Sequence, residues 1–252
     1  MTTVLIKPTE FFAVDSKWTS SFGIELHEHV ITKYIYRTNV VAVYAGDELP
    51  IVLHQALLLG LLDHSEYLNQ TSKMLGLDFE FSHEETVLDF HDGNVLTSTA
   101  QQPKYPIDLY YQGTGGHHAA DFYYFSKKKQ YVSRHGCDII GSMYYAYTKD
   151  VLYSGGVISS CQWVEQEPKK SGIKSVTDIY KTQVSSRIEE LFMHYQSQSS
   201  ASAVKVAASS KAPAIRKIVT PPMRTGDSSE SPKATLSRAV NTVKELEALG
   251  LI

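Results

Sequence analysis

Thr2-Thr3-Val4-Leu5-Ile6, answered by Phe11-Phe12-Ala13-Val14-Asp15-Ser16, is the stretch on which the fold turns. Both runs are apolar and rich in β-branched or aromatic residues, and Lys7-Pro8-Thr9-Glu10 between them is turn chemistry. The pattern predicts a β-hairpin pairing 3–6 with 11–14. Reactive groups flank it. Thr2 follows Met1 directly, and methionine aminopeptidase removes Met1 when the next residue is small. A threonine so exposed carries a hydroxyl and an amine on one residue, a nucleophile with its own base. Taken alone, Met-Thr-Thr is simply a common way for a chain to start.

Outward from the hairpin, 30–36 and 40–45 read as a second strand pair around Arg37-Thr38-Asn39. Gly46-Asp47 breaks that pair, and a helix is expected over 49–76, with Pro50 near its start, where the ring is tolerated. A third hairpin pairs 85–90 with 95–99 across His91-Asp92-Gly93-Asn94, whose Asp-Gly is a strong turn signal. A strand over 107–111 is closed by Gly113-Thr114-Gly115-Gly116. Helices are expected over 117–129 and 134–149, strands over 156–165 and 174–180, and a helix over 184–195. Strands and helices come in blocks rather than in strict alternation. That order predicts an α+β protein with antiparallel sheets and helices outside them.

The chain of 252 residues is 42% hydrophobic, enough for one full-sized core. Its formal charge of -3 gives no electrostatic reason to expect a nucleic-acid partner. Cys137 and Cys161 lack paired spacing, which predicts neither a disulfide framework nor zinc and points to a reducing cytoplasm. His117 and His118 are adjacent, and adjacent side chains diverge on a helix, so no metal site is expected. The longest apolar run, 51–62, is interrupted by His54, Gln55 and Gly60, so no membrane span is expected. Nor is a signal peptide expected, since Lys7-Pro8 follows the short apolar start. Residues 196–231 are Ser-, Ala-, Pro- and Lys-rich and read as a flexible linker between a domain over 1–195 and a terminal segment over 232–252. In that segment Ser231 suits a cap and Pro232 a first helical position. Leu236, Val240, Val243, Leu246 and Leu249 then form one apolar stripe, expected to dock on a partner or neighbouring subunit.

The order of the pieces resembles a known family. Thr2 leads a strand, Asp15 closes the next, Lys33 lies on a later strand, and a strand ending in Gly46-Asp47 precedes the first long helix. In this the chain is similar to the catalytic half of proteasome β-subunits and of the bacterial proteasome-related ring protease HslV, which are N-terminal nucleophile (Ntn) hydrolases. Asp108-Leu109-Tyr110-Tyr111-Gln112-Gly113-Thr114-Gly115-Gly116 looks like the family's strand ending in Gly-Ser-Gly, with Thr114 for Ser. Asp150 and Ser154-Gly155-Gly156 look like its Asp-x-x-Ser-Gly-Gly element, with three residues rather than two between Asp150 and Ser154. The likeness covers roughly residues 1–190. It implies a four-layer αββα sandwich and threonine-type endopeptidase activity on peptides or unfolded protein. It also implies a ring-shaped homo-oligomer, an unfolding ATPase or other activator, and no cofactor.

Each residue then has an implied role. Thr2 Oγ1 would attack the peptide carbonyl, and its α-amine, with a pKa near ~8, would take the proton. Lys33 would lower the pKa of both groups, and Asp15 would fix Lys33. The Gly46 N–H would hold the oxyanion. Thr114, Asp150 and Ser154 would orient the amine. Each residue also has a plainer reading: a turn at Asp15, a solvated charge at Lys33, a strand end at Gly46, a loop at 154–156. It is the shared order that favours the functional one. Two rivals remain from other classes: a catalytically inactive proteasome-like scaffold or decoy, favoured by the extra residue after Asp150, and an Ntn amidase acting on a small substrate.

Overall fold

The computed structural model describes residues 2–19, 30–77, 79–100, 107–128, 139–164, 167–209 and 232–251. These form a mixed helix-and-sheet protein with two antiparallel sheets. The first sheet contains β1 (Val4–Lys7), β2 (Phe11–Asp15), β7 (Tyr110–Gln112), β8 (Ile158–Val164) and β9 (Glu167–Ser171), in the order β7-β1-β2-β8-β9. The second contains β3 (Tyr34–Arg37), β4 (Val40–Gly46), β5 (His83–Asp89) and β6 (Val95–Ser98), in sequence order. The helices are α1 (Glu48–Leu58), α2 (His64–Leu75), α3 (Gly116–Lys128), α4 (Ile139–Lys149), α5 (Asp178–Ser209) and α6 (Pro232–Ala248).

Strand alternation sorts the apolar residues into three clusters. Val4, Ile6, Phe12 and Val14 of the first sheet meet Val41, Val43, Ala45 and Leu88 of the second. Leu5, Phe11 and Ala13, on the other face of the same hairpin, pack against Ala119, Ala120 and Tyr123 of α3 and Met143 and Ala146 of α4. Ala42, Tyr44 and Val87, on the far face of the second sheet, are covered by α1, α2, α5 and α6. Each fully buried Leu, Ile or Phe contributes ~1.5–3 kcal/mol. Both faces of β1 and β2 are therefore anchored, which holds the chain end at Thr2 and Thr3 in place. No described helix is long and apolar enough to cross a membrane.

Several elements differ from expectation. The helix over 49–76 is two helices, because Asp63 and Glu66 form a capping box that starts α2 afresh. Lys33 lies just before β3 rather than within a strand, although its carbonyl still accepts the Tyr44 N–H at 2.9 Å. The strand expected over 107–111 is confined to β7. Residues 174–177 are irregular and α5 begins at Asp178; the partner of β8 is instead the polar run Glu167–Ser171. Helix α5 continues to Ser209, well past the expected linker start at 196. Its backbone propensity outweighs the lack of large apolar residues there. The rest of the expected linker, 210–231, together with Cys137, Met1 and the start of the helix expected at 134, lies outside the described residues.

The terminal stripe docks on the chain itself. Val243 and Leu246 are buried in the cluster formed with α1, α2 and α5, and Leu249 is exposed. Thr97 Oγ1 donates to Glu245 Oε2 at 2.7 Å, and His64 Nδ1 lies 2.6 Å from Glu247 Oε1.

Candidate active site

The site grows from the register of β1 and β2. Val4 opposite Val14 places Thr3 across from Asp15, whose N–H donates to Thr3 O at 3.1 Å. Asp15 thus stands at the end of a buried strand beside the entry of β1. Its carboxylate uses both oxygens. Oδ1 accepts from Lys33 Nζ at 2.9 Å, and Oδ2 accepts from the Gly155 N–H at 3.0 Å. Both side chains of the ion pair are fully removed from solvent. Lys33 Nζ also donates to Lys17 O and lies 5.0 Å from the Trp18 ring centroid.

Burial raises the pKa of Asp15, against the opposing pull of Lys33 and the Gly155 N–H. Burial likewise lowers Lys33, against the pull of Asp15. Each partner is displaced toward its neutral form, so their charges depend on one another.

A second network lies at the same end of the sheet. Thr3 Oγ1 donates to Ser154 Oγ at 2.7 Å, and Ser154 Oγ donates to Asp150 Oδ2 at 2.8 Å. Thr114 Oγ1 donates to the same carboxylate oxygen. The extra residue between Asp150 and Ser154 is absorbed by a turn in which Tyr153 N and Ser154 N both donate to Asp150 O. Ser154 therefore still reaches Asp150. Two glycines permit the close approach. A Cβ on Gly115 would stand 2.0 Å from Thr3 Oγ1 and 2.3 Å from Ser154 Oγ. One on Gly113 would stand 2.0 Å from Thr2 O and 3.2 Å from Ala45 Cβ, so the Thr2 backbone adjoins the end of β4.

Thr2 is itself fully buried, and its Oγ1 has no hydrogen-bond partner among the described residues. Gly46, one residue beyond Ala45, has φ 123° and pairs with His83; a Cβ there would meet Ser82 O at 2.3 Å. Its glycine is explained by that strand contact alone.

The structure thus brings Asp15 and Lys33 into direct contact, joins Thr114, Asp150 and Ser154 in one network, and sets Thr2 and Ala45 at the Gly113 crossing, while Gly46 lies against Ser82 and His83. Thr3 and the Gly155 N–H were not anticipated in these roles. Thr3 lies directly before β1, where its hydroxyl meets Ser154. Among the described residues no group of three or more His, Cys, Asp or Glu is placed to hold a metal ion.

No family model matches the chain, and no curated protein matches it. Among solved structures it is similar to Thiobacillus denitrificans BPH in complex with epoxomicin. The TM-score is 0.39 and the identity 11%, over 64% of this chain and 96% of that one. Likeness at that level carries no weight for activity or for the role of any residue.

Proposed function

We propose that the chain is a threonine-type peptidase of the proteasome β-subunit kind, an αββα Ntn hydrolase in which Thr2 becomes the nucleophile once Met1 is removed. One observation carries the reading: a fully buried Lys33–Asp15 ion pair, tied to the Gly155 N–H, at the end of the strand pair that Thr2 and Thr3 lead into. Burial of a lysine and a carboxylate is costly, and such perturbed pairs concentrate at functional sites.

In this mechanism Thr2 Oγ1 attacks the scissile carbonyl and the freed α-amine accepts its proton. Lys33 supplies the positive field, its charge supported by Asp15 against the cost of burial. Asp15 holds Lys33 in place. Thr114, Asp150, Ser154 and Thr3 form the brace near the amine. The Gly46 N–H is the assigned oxyanion donor, worth ~3–4 kcal/mol in other hydrolases. Substrates are peptides or unfolded polypeptide, and the working form is a ring of identical subunits served by an unfolding ATPase or other activator.

Complete burial of Thr2 favours the second reading, an inert scaffold or decoy subunit. Processing separates the two. While Met1 remains, the Thr2 nitrogen is an amide and cannot act as a base. The test is the mass of the N-terminal peptide before and after an electrophilic threonine-directed inhibitor, with Thr2→Ala as control. Loss of Met1 and an adduct on Thr2, absent from Thr2→Ala, is expected. Intact Met1 on most chains, together with full activity of Thr2→Ala, leaves no place for the mechanism.

A further inference from the structure

We propose that Lys17 is a positioning residue of this site, stitching the turn over 151–157 to the end of β2 and thereby holding Ser154, Asp150 and the Gly155 N–H in register with Asp15 and Lys33. The inference rests on the threonine-peptidase reading of that site.

Three separate atoms of Lys17 do the joining. Its N–H donates to Gly155 O at 3.1 Å. Its carbonyl accepts from Lys33 Nζ. Its ammonium crosses back to donate to Val151 O at 2.9 Å. The alkyl stem runs over the turn, since a Cβ built on Gly155 would stand 3.1 Å from Lys17 Cδ. Ser16 adds a neighbouring tie, its Oγ accepting from the Val157 N–H at 2.8 Å.

The turn needs such ties because apolar burial cannot hold it. Val151 and Leu152 are 65% and 58% exposed, and Val157 is 68% exposed. The residue inserted between Asp150 and Ser154 lengthens this loop and so gives it more freedom to lose. Yet Ser154 and Gly155, both buried, contact opposite halves of the site: Asp150 on one side and Asp15 on the other. A lysine reaching from β2 to the far side of the turn fixes both contacts at once. Its charge also acts directly on the ion pair, because the ammonium is among the groups that lower Lys33.

The test uses the full chain as wild type, Thr2→Ala, Lys17→Met and Lys17→Arg. Methionine keeps the stem and removes the donor and the charge; arginine keeps both. For Lys17→Met the expected result is a fall in kcat of about tenfold with KM little changed, and faster hydrogen exchange at the Gly155 amide. The alkaline limb of its pH profile should move upward as a like charge near Lys33 is lost. Lys17→Arg should restore kcat, exchange and profile. Turnover that survives Thr2→Ala overturns the threonine-peptidase reading itself. Normal kcat in Lys17→Met, with Thr2→Ala inactive, overturns the role of Lys17 alone, whether or not Gly155 exchange changes. Gly155 exchange that stays slow in Lys17→Met overturns the stitch even in a preparation that shows no turnover.

Discussion

Asp15 and Glu85 are both buried carboxylates on central strands, and their surroundings push them in opposite directions. Asp15 faces one ammonium and one backbone N–H, and burial prevails, raising its pKa. Glu85 on β5 is also penalised by burial, but the imidazoles of His54 and His83 and the Arg238 guanidinium reverse the effect and hold it well below the usual carboxylate range. His83 Nε2 lies 2.6 Å from Glu85 Oε2. From α6, Thr242 Oγ1 donates to Glu85 Oε1 at 3.4 Å, and Arg238 donates to His83 O at 3.0 Å. Burial also lowers His54. A carboxylate whose several neighbours favour its charged form is held ionised. A carboxylate that faces one lysine has its proton affinity set by burial and by that single cation.

The largest break in that contrast is Lys33→Ala. Turnover should vanish, and the loss of one partner of a buried pair should cost ~3–5 kcal/mol. The sign of its pH dependence is set by Asp15. With the cation gone its folded pKa rises further above the unfolded value, so the folded state binds the proton more tightly. Stability of the variant should be highest in acid and fall as pH rises through the folded pKa, as read by urea unfolding from pH 4 to 8. A variant equally stable across that range would mean that Asp15 finds another cation.

On the Glu85 side, Leu246→Ala should loosen the helix that covers the cluster, at a cost of ~2–5 kcal/mol. The thermal midpoint should drop, while the kcat of the folded fraction changes little. Glu85→Gln should cost ~1.5–3 kcal/mol at neutral pH. Because its folded pKa is depressed, Glu85 contributes stability that is present above its ordinary 4.5 and lost as pH falls toward the depressed value. Wild type should therefore show a stability loss in acid that Glu85→Gln lacks, which acid titration followed by circular dichroism would reveal. The smallest effect is expected from Thr3→Val, which keeps the shape but removes the donor to Ser154. It should cost ~1 kcal/mol in stability and lower kcat severalfold without altering KM. An unchanged kcat would take Thr3 out of the brace.

Much of this was legible in the sequence. The first hairpin follows from alternating apolar runs, and the Asp-Gly turn from its dipeptide. Asp15 and Lys33 could be paired only through the resemblance, since their meeting depends on two sheets packing face to face. The roles of Thr3, Lys17 and the Gly155 N–H are not legible in the sequence, because their partners lie more than a hundred residues away along the chain. The break before α2 was readable, as Asp63 and Glu66 carry capping-box spacing; the apolar run leading into them hid it. The edge strand β9 has no apolar alternation to announce it, whereas 174–180, with its Val and Ile, imitates a strand. The span of α5 beyond 196 carries no apolar periodicity, yet its Ser, Ala and Gln include no helix breaker.

That edge strand has a consequence for how the molecule behaves in company. β9 reads Glu167-Pro168-Lys169-Lys170-Ser171, and its outer side closes the first sheet. Pro168 brings no amide hydrogen, and the lysines discourage another strand from approaching. The rim beyond β8 is thus a poor template for a foreign chain. This short charged strand keeps strand-to-strand growth from starting there, so copies of the molecule have no open ladder along that rim to join.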